Sequence, residues 1–527
     1  MVSSPPRAEG APSRQRHLRW ALGFGVVATL LVARNLIGLD SAPVGAYVDE
    51  TSIGYNAWAV AHTGLDEHGA HLPLYFTAFG EYKNPVYVYT LAAFLRFLPL
   101  TASVERIPAA VYGVVALLFI ALAAWRITRS RPMTLLLLAL AALTPWLTQE
   151  SRVGFEVIAM VALLVAALWC LSGDAPGPQR LVAAGVLFAL AIVAYTAGRL
   201  EVLLFAVAFA AVYRSSGVRR WWLVLLPIAA GYAGVGVWGL MHPGALTAEF
   251  SAVNIGYDSP GIPAMIARFA GNYAQYFSPD FLFIHGDPNL RHNSDYAGML
   301  LVVMLPLLLA GLYECWRQRG EQFARFTILC IVLAPVSGAL TYPAPHGLRG
   351  AVMLPFLFIL AAYGARLVLR IATQRRRAAI GVLAAGLITQ GGLYMLDYYT
   401  AYPVRASYFF DTGVQPAIAT AERLAGGHTV WLSDDIEQAY IQAFFVLQPA
   451  PPRTPMADTT TLGLAKLNMQ LADAAQPTAA ASPGDILVLP SADPAPPDAM
   501  LLSVEYAPAD PLAPAARVAL LGIYRVT

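Results

Sequence analysis

The sequence predicts an all-α polytopic membrane protein with a small α/β region at its C-terminal end, and three observations carry that prediction. Hydrophobic residues make up 57% of the 527 positions and charged residues 13%, with a mean hydropathy of +0.57, which excludes an ordinary soluble globular protein. Eleven apolar stretches read as bilayer spans. Arginines gather between alternate stretches, which fixes a sidedness. The 34 basic residues nearly balance 32 acidic ones, so no basic excess announces a nucleic-acid partner. Cys170, Cys315 and Cys330 lie in or beside apolar runs with no CxxC spacing, which supports neither a disulfide framework nor a cysteine zinc site.

Taken in order, residues 1–19 are a polar Pro/Ser/Arg-rich tail, and the apolar run at 20–38 lacks a small-residue cleavage site, so it is expected to be an uncleaved anchor. Further spans are expected at 106–125, 133–148, 153–171, 181–197, 199–213, 221–241, 298–315, 324–341, 348–369 and 378–396. The run at 84–99 is short for a span and rich in Tyr, Phe and Pro. With it lying on the outer surface as an interfacial helix, the inner segments collect Arg7, Arg14, Arg16, Arg19, Arg126, Arg129, Arg131, Arg180, Arg214, Arg219, Arg220, Arg317, Arg319, Arg325, Arg366, Arg370 and Arg375–Arg377, nineteen of the 34 basic residues. If it spanned, every later cluster would face outward, against the positive-inside rule. The expected protein is thus a multi-pass protein of the cytoplasmic membrane, with its N-terminus inside and three outer segments: about 39–105, 242–297 and a tail, 397–527. In the tail, Thr429–Ser433 and Asp485–Pro490 read as strands and Ile436–Leu447 as a helix, whereas the Pro/Ala-rich stretches 449–457 and 492–515 read as loops.

The unusual polar chemistry is concentrated in the outer segments. The first reads Tyr47-Val-Asp-Glu-Thr-Ser-Ile-Gly-Tyr55, with Asp49 and Glu50 adjacent, and continues to Gly80-Glu-Tyr-Lys-Asn-Pro85. An acidic pair is also what a solvated turn or helix cap looks like. Lys83 is one of two lysines in the chain; it either snorkels to headgroups or binds a lipid-borne phosphate. Tyr55 and Tyr82 join the candidate cavity. The next outer turn holds Glu150, Arg152 and Glu156. Arg152 and Glu156 stand at i,i+4, the spacing of a helical ion pair, whereas Glu150 has no local partner and reads as a second acidic wall. Arg199 and Glu201 give the third short turn a charged pair. The large loop carries Phe281-Leu-Phe-Ile-His-Gly-Asp-Pro-Asn-Leu-Arg-His292. His285, Asp287 and His292 are metal-ligating residue types, but their spacing fits no tight metal motif; the alternative is a polar lid in which Arg291 or His292 meets phosphate. The last short turn offers His346 and Arg349, the latter either capping its helix or reaching toward phosphate.

The Asp49-Glu50 pair, the downstream Glu81-Tyr-Lys-Asn-Pro85, the acidic turn at Glu150 and the outer tail resemble the GT-C glycosyltransferases. The resemblance is nearest to the branch holding protein O-mannosyltransferases and the aminoarabinose transferases of lipid A. In detail, TGLDEHGAHLPLYFTAFGEYKNPVYVY and FLFIHGDPNLRH are similar to segments of bacterial family-39-type membrane glycosyltransferases. The similarity covers about 35–400, and the tail matches in position alone. It implies a GT-C fold with residues 20–396 as the catalytic membrane domain and 397–527 as an extracytoplasmic domain. It also implies Asp49 as base, Glu50 as its neighbour, Lys83 on the lipid-linked phosphate, and either Glu150 or Glu156 as second acid.

A sugar on a polyprenyl phosphate already carries a good leaving group, so cations suffice on that side: Lys83 with Arg291, Arg349 or Arg199. The acceptor hydroxyl must lose a proton as it attacks the anomeric carbon, which calls for a carboxylate, Asp49. A single displacement inverts the anomeric centre, and cations and carboxylates are expected to separate across one cavity. The expected activity is an inverting hexosyl- or pentosyltransfer to a hydroxyl of a glycan, lipid or protein, with membrane lipids around it and no cofactor required; a divalent cation at Asp49/Glu50 is the less favoured option. The alternatives are a flippase of lipid-linked sugars, a ligase or polymerase using a diphosphate-linked donor, and an assembly protein whose tail binds a partner.

Overall fold

The computed structural model describes residues 25, 29 and 32–527, apart from 174, 216, 257, 259–260, 457 and 511–516. The polar tail 1–19 with its four arginines, and most of the first expected span, lie outside the described residues.

The chain is mostly helical. A helix α1 (Val48–Thr63) and a short hairpin, β1 (Phe76–Ala78) with β2 (Glu81–Lys83), form the first outer segment. Helix α2 (Pro85–Leu95) follows, opened by proline, whose missing N–H costs nothing at a first helical position. Its 11 residues reach about 16 Å, half of a hydrocarbon core, in keeping with an interfacial place for 84–99.

The bundle is built from α3 (Ile107–Thr128), α4 (Arg131–Leu143), α5 (Val157–Leu171), α6 (Pro178–Ile192), α7 (Gly198–Tyr213), α8 (Leu225–Met241), α9 (Ile262–Gln275), α10 (Leu305–Arg317), α11 (Gln322–Leu333), α12 (Leu354–Val368) and α13 (Thr373–Thr400). Five helical stretches among the described residues are long and apolar enough to cross a membrane: Ala102–Thr128, Trp221–Met241, Gln322–Ala339, Gly347–Val368 and Thr373–Thr400. Four shorter apolar helices, Pro85–Leu95, Arg131–Leu143, Val157–Leu171 and Pro178–Ile192, fall below that length. The protein is a multi-pass membrane protein.

Lipid tails are as apolar as leucine, so helices in a membrane associate through close packing rather than through exclusion of water. Helices α10 and α12 do this with glycine. A Cβ on Gly311 would lie 2.1 Å from the Leu360 carbonyl oxygen, and one on Gly364 would lie 2.0 Å from that of Leu307. Helix α12 is buried along nearly its whole length, which makes it the axis of the bundle.

The tail packs helix α14 (Val414–Ala425) on a five-stranded mixed sheet, and helix α15 (Ala439–Leu447) lies between α14 and α1. Its strands are β3 (Val430–Ser433), β4 (Met469–Ala472), β5 (Ile486–Pro490), β6 (Ala499–Tyr506) and β7 (Ala519–Val526), in the order β4-β3-β5-β7-β6. Both expected strands and the expected helix are present, within two or three residues of their expected bounds. The expected loop at 492–515 is corrected: β6 runs through it and pairs antiparallel with β7. Met500, Leu501, Leu502 and Val504 supply the strand, and the proline-rich flanks hide it from a composition count. The tail also docks on the first outer segment: Tyr55 Oη donates to the Pro449 carbonyl at 2.7 Å, and Gln415 Nε2 to that of Ala46 at 2.7 Å.

Gly311→Ala should overpack the α10–α12 contact and cost about 1–3 kcal/mol, lowering the unfolding midpoint in detergent. Gly392→Ala on α13, with nothing within 4 Å of its Cβ position, should leave the midpoint level or raise it. Equal midpoints for both variants would contradict the packing argument.

Candidate active site

Helices α5, α7 and α12 begin at one end of the bundle, and α6 ends there. The cavity at this end is lined from these termini and from two outer segments. Along the same helices, Arg126, Arg180, Arg214 and Arg366 mark the opposite end. The cavity holds about 260 Å³ and is lined by residues from five separate stretches.

Asp49, Tyr82, Lys83, Glu156, Arg291, His292, His346 and Arg349 all line it. Lys83 ends β2 with its side chain 10% exposed and donates to Asp49 Oδ1 at 2.7 Å and to Glu81. Burial disfavours the ammonium, but Asp49, Glu81 and Glu156 outweigh it and raise its pKa. Burial likewise works against the Asp49 carboxylate, yet Lys83, Arg291 and the Tyr47 hydroxyl hold it below the ordinary aspartate value. The expected separation of cations from carboxylates is therefore corrected: Lys83 and Asp49 are in direct contact, because two partly desolvated opposite charges neutralise one another.

Glu156 accepts from the Asn84 backbone N–H and, at 2.8 Å, from Asn84 Nδ2. Burial pushes it up to about 8 against the pull of Lys83 and Asn84. Of the two glutamates offered as the second acid, Glu156 lines the cavity, whereas Glu150 lies behind it, fully buried. Arg291 is held from outside the bundle: Nε donates to the Phe409 carbonyl at 2.6 Å, Nη2 to Glu437 at 3.2 Å, and its guanidinium lies 4.7 Å over the Tyr47 ring. Arg349 Nη1 reaches Thr341 Oγ1 at 3.3 Å and the Tyr342 carbonyl at 3.2 Å.

Several expected site residues are elsewhere. Glu50 is fully buried and bound to Arg106, with Nε to Oε1 at 2.7 Å and Nη2 to Oε2 at 2.8 Å, and it accepts from Gly154 N at 2.9 Å and Tyr47 N at 3.3 Å. The helix-cap reading holds for Glu50. Neighbouring positions on a helix differ by about 100°, so Asp49 and Glu50 diverge, one to the cavity and one to Arg106. Arg152 is fully buried and donates to the carbonyls of Arg34, Ile37, Gly38 and Ala42, not to Glu156. No helix runs through 151–156, so the i,i+4 rule never applied. Arg199 and Glu201 do not pair either: Arg199 donates to the Leu246 carbonyl and Asn84 Oδ1, and Glu201 accepts from Ser337 N at 2.8 Å. Arg199 lines an adjoining apolar cavity of about 260 Å³ that shares Tyr195, Thr196 and Arg349 with the first. Tyr55 faces the tail. His285 is exposed and turned to Asp280, while Asp287 stands behind the wall, bound to His292 Nδ1 at 2.8 Å.

Sequence reasoning missed Arg106, Glu249 and Asn84. The Glu105-Arg106 pair directly ahead of an apolar run was a usable signal for the first and Asn84 lay inside a singled-out motif; Glu249, on a short outer helix, gave none.

The overall fold recurs in solved structures. ArnT from Cupriavidus metallidurans matches in the apo state with a TM-score of 0.54 and 12% identity, over 96% of this chain and 98% of that one. The ArnT structure bound to undecaprenyl phosphate matches with 0.52 and 13%, over the same shares. AglB, an archaeal oligosaccharyltransferase from Archaeoglobus fulgidus in complex with an inhibitory peptide and a dolichol-phosphate, matches with 0.50 and 13%, over 90% of this chain and 70% of that one. The arabinofuranosyltransferase AftD from Mycobacteria gives 0.50 and 17%, with 98% of this chain spanning 40% of that one. The chain has the GT-C fold. No protein-family model and no curated protein matches its sequence.

Glu50→Ala, which strands the Arg106 guanidinium in the interior, should cost about 3–5 kcal/mol and collapse the yield of folded protein, while Asp49→Asn should fold normally. Size-exclusion profiles and melting midpoints of the two variants check this; a well-folded Glu50→Ala would deny the pair its structural role.

Proposed function

We propose that the protein is an inverting glycosyltransferase that moves a sugar from a polyprenyl-phosphate donor to a hydroxyl acceptor at the outer face of the cytoplasmic membrane. The observation that carries this is the Asp49–Lys83 contact inside a cavity flanked by Arg291 and Arg349. The fold neighbours include ArnT with undecaprenyl phosphate and AglB with dolichol-phosphate, and the arginine distribution supports a reading with eleven spans, an outward-facing cavity and an external tail. A flippase is expected to carry its ionisable groups near mid-membrane; those of the cavity sit at one end.

The contact suggests how the two ends of the reaction are coupled. An arriving phosphodiester monoanion offers the compact Lys83 ammonium two oxygens that share its charge, in place of one carboxylate oxygen. As Lys83 turns to the phosphate, Asp49 loses the cation that depressed its proton affinity and becomes a stronger base. The acceptor hydroxyl attacks the anomeric carbon from the face opposite the phosphate, its proton passes to Asp49, and the glycosidic C–O bond breaks with its electron pair on the phosphate oxygen. Lys83, Arg291 and Arg349 neutralise the charge that develops there. Tyr82, His292 and His346 complete the wall.

In reconstituted transfer from polyprenyl-phosphate sugars, Asp49→Asn should lower turnover by about 10²-fold or more, with donor binding unchanged or tighter because Lys83 is released. Lys83→Ala should weaken donor use roughly ten- to a hundred-fold, the equivalent of about 1.5–3 kcal/mol, and Lys83→Arg should restore part of it. Turnover in Asp49→Asn within tenfold of wild type would overturn the base assignment.

Glu156, with its pKa raised to about 8, is mainly neutral at pH 7. Its ionisation as the pH rises through 8 adds a negative charge to an anion-binding cavity, so donor affinity should fall above pH 8. Glu156→Gln should flatten that limb, as donor titrations across pH 6–9 would read.

A further inference from the structure

We infer that Asp287, His292 and His346, with Glu150 beside them, form a binding site for one divalent cation of the zinc type. Asp287 and His292 come from the large outer loop, and His346 from the turn before α12. Each offers one ligand atom, and these atoms lie within 4.8 Å of one another. Tetrahedral zinc, with bonds of about 2.0–2.2 Å, asks for ligand atoms roughly 3.3–3.5 Å apart, so side-chain adjustments of about an ångström close the set. The donor set suits the metal: two imidazole nitrogens and carboxylate oxygens are what zinc selects, whereas magnesium and calcium prefer all-oxygen shells.

Two independent features call for a cation here. Glu150 is fully buried, and neither of its oxygens has a hydrogen-bond partner among the described residues. The Asp287 charge acts on Glu150, and among the described residues neither carboxyl group is bonded to a lysine or arginine: Asp287 is bound by Asn289 N, His292 Nδ1 and Gly347 N, Glu150 by none. His346 Nδ1 is buried and without a partner as well, and its ring lies 4.4 Å from that of His292. An unpaired buried carboxylate is costly, and a coordinated cation removes that cost. The outer shell is already built: Asp287 Oδ2 accepts from Gly347 N at 2.6 Å, Oδ1 from Asn289 N at 2.8 Å, and Trp146 Nε1 holds the Gly347 carbonyl at 3.0 Å. Such partners orient ligands.

The cation would tie the loop that carries Arg291 to the turn that carries Arg349, and so fix both guanidinium groups at the cavity wall. It acts through them, as a positioning ion. The sequence offered His285 as a third ligand; His346, 61 residues further along, takes that place, which is why no spacing rule found the site.

The test uses the full chain in detergent, freed of any histidine tag, stripped with a chelator and titrated with zinc chloride or cobalt chloride; it needs neither donor nor acceptor, so its failure leaves the transfer reading untouched. Expected are one zinc per chain by elemental analysis, a zinc-dependent rise in the melting midpoint, and the visible absorption of four-coordinate cobalt(II). His346→Gln and Glu150→Gln, both close in volume to the native residue, should weaken zinc binding by roughly tenfold or more, whereas His285→Ala should not. Should either variant fail to fold, the wild-type stoichiometry still decides. Zinc well below one per chain, or binding that both folded variants leave unchanged, would overturn the assignment.

Discussion

The buried ion pair between Glu50 and Arg106 is the contact on which the cavity depends. Arg106 stands at the foot of α3 and spends its donors on Glu50 and on the carbonyls of Leu39, Pro43 and Gly45. Glu50 spends its acceptors on Arg106, Gly154 and its own helix start. One guanidinium thus gathers the chain that leads into α1, the helix itself and the turn before α5. Glu105, the residue beside Arg106, is fully buried as well. With Glu50 turned inward, the neighbouring Asp49 is presented to the cavity. The adjacent acidic pair that stands out in the sequence is therefore one residue of architecture and one of chemistry.

The second layer is a cation held in reserve. Lys83 comes from the end of a hairpin strand, and Asp49 from the helix start that the Glu50–Arg106 pair fixes. Their mutual neutralisation lets a partly desolvated site exist without its substrate. In the proposed reaction the arrangement would store the base in an inactive form until an anion competes for the lysine.

Much of the fold was legible in the sequence, because in a membrane the length of an apolar run is a physical requirement and arginine placement reports sidedness. The tail's strands at 430–433 and 486–490 were legible for the same kind of reason, as short apolar runs between turn residues. Within the candidate site, Asp49, Lys83, Arg291, His292, His346 and Arg349, singled out from separate stretches of the sequence, line one cavity. The failures share one cause. Glu50, Arg152 and Arg199 were read by adjacency or helical spacing, while their partners come from stretches up to 118 residues away, as with Arg152 and Arg34. A lone buried charge cannot be told from an exposed one by composition. The strand at 499–506 was hidden by its proline-rich flanks.

The tail meets α1 where Gly54 faces Phe445, with a Cβ at that glycine coming 2.6 Å from the ring, and it holds Arg291 through Phe409 and Glu437. The tail is thus not a freely exchangeable module. A chimera that grafted a foreign tail onto this bundle would set a new side chain against a gap cut for one phenylalanine, and would leave the cavity's arginine without its outer anchors. A workable graft boundary must carry the first outer segment along with the tail, so the two stretches are bound to change together although some 300 residues of membrane helices separate them in the chain.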